Sequence, residues 1–502
     1  MAEPSSDIAA LARGGRTNIL GFILRLAARL PFLFIAGRSY GPEIVGRFAL
    51  AVVVVELAAL LATLGLKRGL AQALATADRP HAHIVWDALL LALIVSAIAS
   101  SVLFAFPKIM FPNSPIVGLE WLLPLIVFAI AWSDVALAAL AYRLNVRAAV
   151  TARAVIEPWT ISIAAWLLSY ISSRDGLVIA YVLSMVAALV ASLVPLLRSY
   201  GFPRDWSPKL GALWSLARAN APLAGADAIE WATRNVDRFI LGLFFAPAVV
   251  GIYYMAQQVA SLPQKLKTSF DPVLGPVITQ SLAANDRAAI ARQVRQVGFW
   301  IMAAQGGLAL MGSIPGEAVM GVVGPEFVAG TAALAFLLVA EVAAANGAVA
   351  ESALVYIARL TNLWISAALL ALQVVLSIAL IMGMRSLGWP VAWQAAGPAV
   401  ALVLSLALGS AVKAGLLGRL LGAGVVAWRW PLLGAALVAG GIGTLFTWLP
   451  PRFEWAELLI GEPAIAASYC LVLWLWAFRN EDRALFRKVP SARALPLTEP
   501  RG

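Results

Sequence analysis

Residues 85–106 read VWDALLLALIVSAIASSVLFAF, twenty-two positions with a single charge, Asp87, near one end. A helix rises about 1.5 Å per residue, so this stretch covers the roughly 30 Å hydrocarbon core of a bilayer with no charge at mid-depth. Runs of the same kind recur outward from it in both directions. Bounded by charge, Pro or Gly, they predict spans at 17–37, 43–66, 117–142, 150–171 and 176–197. After the polar connector RSYGFPRDWSPK (198–209) they continue at 213–245, 249–270, 296–316, 327–350, 361–384 and 389–413, then at 427–448 and 456–478. The expectation is an all-α polytopic membrane protein of about fourteen transmembrane helices.

Composition agrees. Residues AVILMFWYC fill 62% of the 502 positions, charged residues 13%, and the mean hydropathy is +0.87, more apolar than one soluble core requires. Little chain is left for a separate soluble domain. The net charge of +11 comes from cations scattered over short loops, which argues against nucleic acid as a partner. The single cysteine, Cys470, excludes an intrachain disulfide and a cysteine metal cluster. The opening MAEPSSDIAALARGGRTN is polar for too long to read as a cleaved leader, so the first span is expected to stay.

Basic residues test the count, because a wrong number of spans would scramble their alternation between sides. With fourteen spans, 27 of the 37 Lys and Arg fall in segments on one side, among them Lys67, Arg68 and Arg79, and six on the other. The basic side is expected to be cytoplasmic, with both termini there. Residues 39–51, SYGPEIVGRFALA, also align with 244–256, FFAPAVVGIYYMA: Pro42 over Pro247, Val45 over Val250, Gly46 over Gly251, Ala51 over Ala256. At the same offset Arg29 in the first span falls over Arg234 in the seventh. An even number of spans separates the copies, so the halves are expected to share an axis along the membrane normal, with a cavity between them. The expected division is an N-terminal lobe at 1–200, a C-terminal lobe at 201–415, two accessory helices at 416–480 and a cytoplasmic tail at 481–502.

Three stretches together resemble a known family: GGRTNILGFILRLAARLPFLFIAGRSYGPEIVGRFALA (14–51), LGLKRGLAQALA (64–75) and NVDRFILGLFFAPAVVGIYYMAQQVASLPQKLKTSFDPVLGPVIT (235–279). They are similar to the polysaccharide transporters, lipid-linked oligosaccharide flippases of the multidrug, oligosaccharidyl-lipid and polysaccharide exporter superfamily. The resemblance implies two six-helix lobes around a central cavity lined by helices one and seven, with accessory helices at the C-terminus. It implies an undecaprenyl-pyrophosphate-linked oligosaccharide as substrate, an O-antigen or exopolysaccharide repeat unit moved across a bacterial inner membrane. A polymerase and glycosyltransferases of the same pathway would be its partners.

Charges inside the spans are the candidate site residues. Each mid-membrane arginine costs about 3 kcal/mol if it faces lipid. Arg25 and Arg29 lie one turn apart on the first span with Asn18 further back on the same helix, and no acid lies in that span. Either they meet an anionic headgroup, since guanidinium forks bind phosphate oxygens bidentately, or they are structural, pairing with acids such as Glu56 or Glu230 or snorkelling to an interface. Span seven carries Asp227, Glu230, Arg234, Asp237 and Arg238. Arg234 and Arg238 are substrate-binding candidates, while Glu230 with Arg234, or Arg234 with Asp237, can equally neutralise each other within the helix. Glu56, Asp134, Glu157, Glu230, Asp237, Glu341 and Glu351 are acids that can carry a coupling proton or bind sodium, and the sequence does not select among them.

Other features carry less. His81 and His83, beside Asp78 and Asp87 in a short inner loop, lack a third metal ligand and read as a solvated loop. Pro31, Pro222 and Pro263 are candidate bends. The stretch AANDRAAIARQVRQ (283–296) is basic and amphipathic, suited to the inner leaflet or to a plain cytoplasmic helix. No nucleotide loop, metal set or catalytic triad is present, and nothing asks for a cofactor, so a transporter is expected and not an enzyme. The rival readings are a cation-coupled multidrug exporter of the same superfamily, a peptidoglycan-precursor flippase, and a membrane glycosyltransferase or polymerase; the loops are too short for the last.

Overall fold

The computed structural model describes residues 4–76, 78–203, 205–268, 278–282, 284–448, 454–479 and 482, with side chains from Leu30 onward except those of 146, 262–268 and 454. Its elements are helices, with no strand among the described residues. In chain order they are α1 (Pro4–Ala62), α2 (Leu66–Ala75), α3 (His81–Ala105), α4 (Leu123–Tyr142), α5 (Val146–Val150), α6 (Glu157–Ser169), α7 (Gly176–Tyr200), α8 (Leu210–Phe244), α9 (Pro247–Thr268), α10 (Arg287–Ser313), α11 (Gly316–Val323), α12 (Thr331–Ile357), α13 (Arg359–Ser386), α14 (Val391–Leu421) and α15 (Pro431–Thr447). A last helix, α16 (Glu462–Val472), is flanked by π-helical turns at Glu457–Gly461 and Leu473–Ala477.

The fourteen expected spans map onto these helices, and length and hydropathy alone pick out eight segments among the described residues as membrane-crossing. One of the eight, Leu30–Ala75, takes in the end of the first expected span and the whole of the second, which α1 carries on either side of a break at Gly41 (φ 76°), a backbone region open to glycine and closed to most side chains. The other expected spans miss that criterion for local reasons. The fifth is interrupted by a π-helical stretch at Thr151–Ile156, and α8 is diluted by its charges. α10 and α11 meet at a 74° bend.

Two readings of the inner segments need correction. The basic stretch 283–296 is not a separate surface helix: from Arg287 it is the first turns of α10, with Ile290, Gln293, Val294 and Gln296 buried. Amphipathic pattern alone did not show that Gln293 donates to Ser281 Oγ and Gln296 to Asp482, so the polar positions also face protein. His81, His83 and Asp87 likewise lie in the first turns of α3 and not in a loop, and Asp87 is buried, accepting from Arg79 (3.0 Å) and from the Trp206 indole (2.9 Å).

Two lobes of six spans each, carried by α1–α7 (α1 holding two of them) and by α8–α14, enclose the centre, and α15 and α16 pack on α10 outside them. Burial divides along the membrane normal. At the end away from the basic loops, one apolar cluster runs through both lobes, joining Phe32, Tyr40, Phe48 and Val127 to Val250, Tyr253, Leu337 and Leu402. At the basic-loop end there are two clusters, the first of which extends from the N-terminal lobe to Leu213 at the start of α8. Leu66, Leu70, Leu89 and Leu140 lie in one, and Val294, Phe299, Val349 and Leu417, with Ile465 of the accessory pair, lie in the other. Helices that share one core at one end and have two at the other leave room between them.

The aligned repeats meet where the shared core begins. A Cβ built on Gly46 would stand 2.5 Å from the Pro247 carbonyl carbon and 2.9 Å from Gly251 N, while one built on Gly251 would stand 3.0 Å from the Pro42 carbonyl carbon and 2.8 Å from Gly46 N. Ordinary contact is 3.4–4 Å. Each glycine therefore receives the carbonyl of the other repeat's proline, and this reciprocity is what an axis through the crossing of α1 and α9 requires.

Candidate functional site: a charged cavity between the lobes

A cavity of about 400 Å³ opens on the shared core, whose Val52, Tyr254, Ala260, Leu337 and Leu402 are part of its lining. Val52, Glu56 and Leu60 of α1, with Lys67 and Arg68 at the start of α2, form one wall. The facing wall is α8 from Asp227 to Arg238, backed by Tyr254, Gln257, Gln258 and Ser261 of α9 and by Glu341 of α12. Local chain geometry aims these groups. The turn after α1 passes through Leu64 (φ 47°) and Gly65 (φ 74°), so α2 starts abruptly and presents two successive cations. α8 is continuous from Leu210 to Phe244, which puts Asp227, Glu230, Arg234 and Arg238 at helical spacing along its length.

The cations are not equally available. Arg68 bridges to Asp227 (Nε–Oδ1 3.0 Å) and Glu230 (Nη2–Oε2 2.8 Å). Lys67 reaches Asp134 at 3.5 Å, and Asp134 also pairs with Arg153, which in turn holds Glu157 at 2.7 Å. Arg234 pairs with Glu341. Arg238 differs. Its guanidinium donates to Asn235 Oδ1 and stacks over the Tyr254 ring at 5.3 Å, and its buried Nε has no hydrogen-bond partner among the described residues. Among the described residues no carboxylate lies within ion-pair distance of it. A dry, half-satisfied guanidinium beside a cavity is a ready anion contact, because an anionic oxygen supplies the acceptor that burial withholds.

The candidates named from sequence therefore sort into groups. Arg234, Arg238, Glu56, Glu230 and Glu341 line the cavity together. Asp134 and Glu157 sit in the N-terminal lobe, tied to Arg153. Asp237 is fully buried between α8 and α9, where it accepts from Tyr253 Oη (2.6 Å) and Gln257 Nε2 (3.2 Å). Glu351 pairs with Lys413 at 3.0 Å. Asn18, Arg25 and Arg29 lie outside the residues whose side chains are described, as does Pro263; Pro31 and Pro222 fall inside α1 and α8. The ladder within α8 does not form: Glu230 turns to Arg68 and Arg234 to Glu341, partners 162 and 107 residues away.

Sequence reading missed several lining groups. Lys67 and Arg68 counted only as topology signals, and Trp231, Asn235, Gln257, Gln258 and Ser261 were passed over. The adjacent glutamines midway along α9, after ten residues without a charge, were the available signal, since side-chain amides at membrane depth face protein or water.

Solved structures share this fold. An inward-facing multidrug resistance MATE family transporter of the MOP superfamily is 15% identical, with a TM-score of 0.65 over 80% of this chain and 98% of its own. "Lipid II flippase MurJ, inward closed conformation" is 11% identical, TM-score 0.70, over 91% and 99%. A MOP superfamily transporter from Pyrococcus furiosus, described as having a binding pocket of reverse polarity, is 14% identical, TM-score 0.55, over 84% and 96%. No curated protein matches the chain. The fold is thus that of the two-lobed helical transporters of this superfamily, a multi-pass membrane class. More particularly, the family model for polysaccharide biosynthesis proteins matches residues 12–282, more than half of the sequence, and the chain belongs to that family.

Proposed function

We propose that the protein is a flippase that moves an undecaprenyl-pyrophosphate-linked oligosaccharide, an O-antigen or exopolysaccharide repeat unit, from the cytoplasmic to the periplasmic leaflet of a bacterial inner membrane by alternating access. The lobes at 1–200 and 201–415 would rock around the cavity, with 416–480 as accessory helices and 481–502 as a cytoplasmic tail beside a cytoplasmic N-terminus. The observation that carries this reading is Arg238, a cation on the cavity wall that has, among the described residues, no carboxylate in ion-pair reach. A diphosphate there completes the guanidinium's hydrogen bonds, while Trp231, Asn235, Gln257 and Gln258 offer a ring face and amides of the kind sugars bind. Arg25 and Arg29 would extend the cationic path from the first span, with Asn18 beside them, and Arg234 would join when Glu341 releases it. Such movement breaks no covalent bond, so no catalytic group is needed. One of Glu56, Asp134, Glu230, Asp237, Glu341 and Glu351 would carry a coupling proton or sodium ion, and pathway polymerase and glycosyltransferases would be the partners.

Proteoliposomes test the reading. Purified protein should carry a fluorescent undecaprenyl-pyrophosphate oligosaccharide across the bilayer, and Arg238→Ala should abolish this at equal protein content. Efflux of cationic drugs without movement of the lipid would replace this reading by the multidrug exporter. Movement restricted to a muropeptide-bearing lipid would replace it by the peptidoglycan-precursor flippase, a reading the MurJ likeness in fold leaves available.

A further inference from the structure

The cations at the start of α2 face opposite ways. Lys67 turns into its own lobe, toward Asp134, while Arg68 crosses to Asp227 and Glu230 of the other. The rest of α2 belongs to the N-terminal lobe, since Leu66, Leu70 and Leu74 are buried in that lobe's separate cluster. α8 is shared. Its first turns, through Leu213, pack in the same cluster, and Asp227 and Glu230 lie beyond Pro222, on the part of the helix that lines the cavity. Backbone approach marks the contact: a Cβ on Gly65 would stand 2.7 Å from both Ala224 N and Asn220 O, and one on Gly69 2.7 Å from Asn220 Cγ.

We propose that Arg68 is a releasable latch that holds the two lobes together at the basic-loop end and so governs access to the cavity. The opposite end is joined by a continuous apolar core and by the reciprocal glycine crossing. Separating helices there would expose packed apolar surface and lose close contacts. At the latch, Arg68 is 54% exposed and Glu230 67%, so water already reaches both charges and can replace their bond at small cost. Asp227 is different, at 6% exposed; it favours the closed position of the guanidinium until opening admits water to it. The close packing at Gly65 and Gly69 holds the turns of α8 up to Ala224 to the N-terminal lobe, and beyond them the joint at this end is ionic, so the cavity-lining part of α8 is where the basic-loop end opens, whichever lipid the cavity receives.

Spin–spin distances test this without any substrate. In full-length protein in lipid nanodiscs, with Cys470→Ala, labels at Gln72→Cys and Tyr356→Cys report the gap between the lobes at that end. Arg68→Ala should raise the share of separated molecules about threefold, the size expected for loss of a part-exposed ion pair. Asp227→Asn with Glu230→Gln should do the same from the other side, and combining all three should add nothing further, because the residues act as one pair. Unchanged distances in either variant would overturn the latch, as would shifts that multiply in the combined one. Because no transport is measured, failure here leaves the flippase reading standing, and failed transport leaves the latch standing.

Discussion

The crossing of α1 and α9 makes the most demanding prediction. Replacing Gly46 by Ala places a methyl group 2.5 Å from the Pro247 carbonyl carbon, with the oxygen nearer still, where ordinary contact begins at 3.4 Å. The obstacle is backbone inside a core that joins both lobes, so no side-chain rotation relieves it, and the helices must part. Overpacking of this kind costs about 2 kcal/mol, equivalent to about a 30-fold change in an equilibrium constant. Gly251→Ala meets the Pro42 carbonyl in the same way. The double variant should cost clearly less than the two singles added, because helices forced apart by one methyl already accommodate the second. Thermal unfolding of the purified protein reads all three, with Gly434→Ala, whose added Cβ meets nothing within 4 Å, as the control expected to keep the wild-type midpoint. Wild-type stability in Gly46→Ala, or strict additivity in the double variant, would refute reciprocal packing at this point.

The remaining predictions concern charge. Glu341→Gln leaves Arg234 without its carboxylate and should destabilise the protein by ~3 kcal/mol; exchanging the two residues should recover membrane abundance, and failure to recover it would count against a direct pair. Arg25→Ala with Arg29→Ala should stop polysaccharide export at normal abundance, measured in cells by export and immunoblot, and full export would remove both from the substrate path. Asp482→Ala should loosen the docking of the last helix, because Asp482 accepts from Arg429 (2.6 Å) and the Trp300 indole (2.9 Å); faster proteolysis near Arg479 is the readout, and unchanged cleavage would refute the role.

What the sequence revealed, and what it hid, follows from range. Span positions are local: about twenty apolar residues between charges or breakers suffice, and α3, α4 and α7 fall within a few residues of where hydropathy puts them. The repeat was visible in Pro42 and Gly46 against Pro247 and Gly251, but not that the copies touch, since contact depends on how two distant helices cross. The sequence placed Arg234 and Arg238 in one helix and gave no sign that the first is matched by Glu341 while the second meets Asn235 and Tyr254. Arg68 was the larger omission. At a span end a cation is expected for topology alone, and only the position of α8 shows that it also closes on Asp227.

The central claim is that a diphosphate headgroup sits against Arg238 between the lobes. A structure of the protein with bound undecaprenyl pyrophosphate tests this most directly. The account predicts phosphate oxygens within hydrogen-bond distance of the Arg238 guanidinium, inside the cavity that Glu56 and Gln257 also line. A headgroup resting elsewhere, with Arg238 still turned to Asn235 and Tyr254 alone, would contradict it.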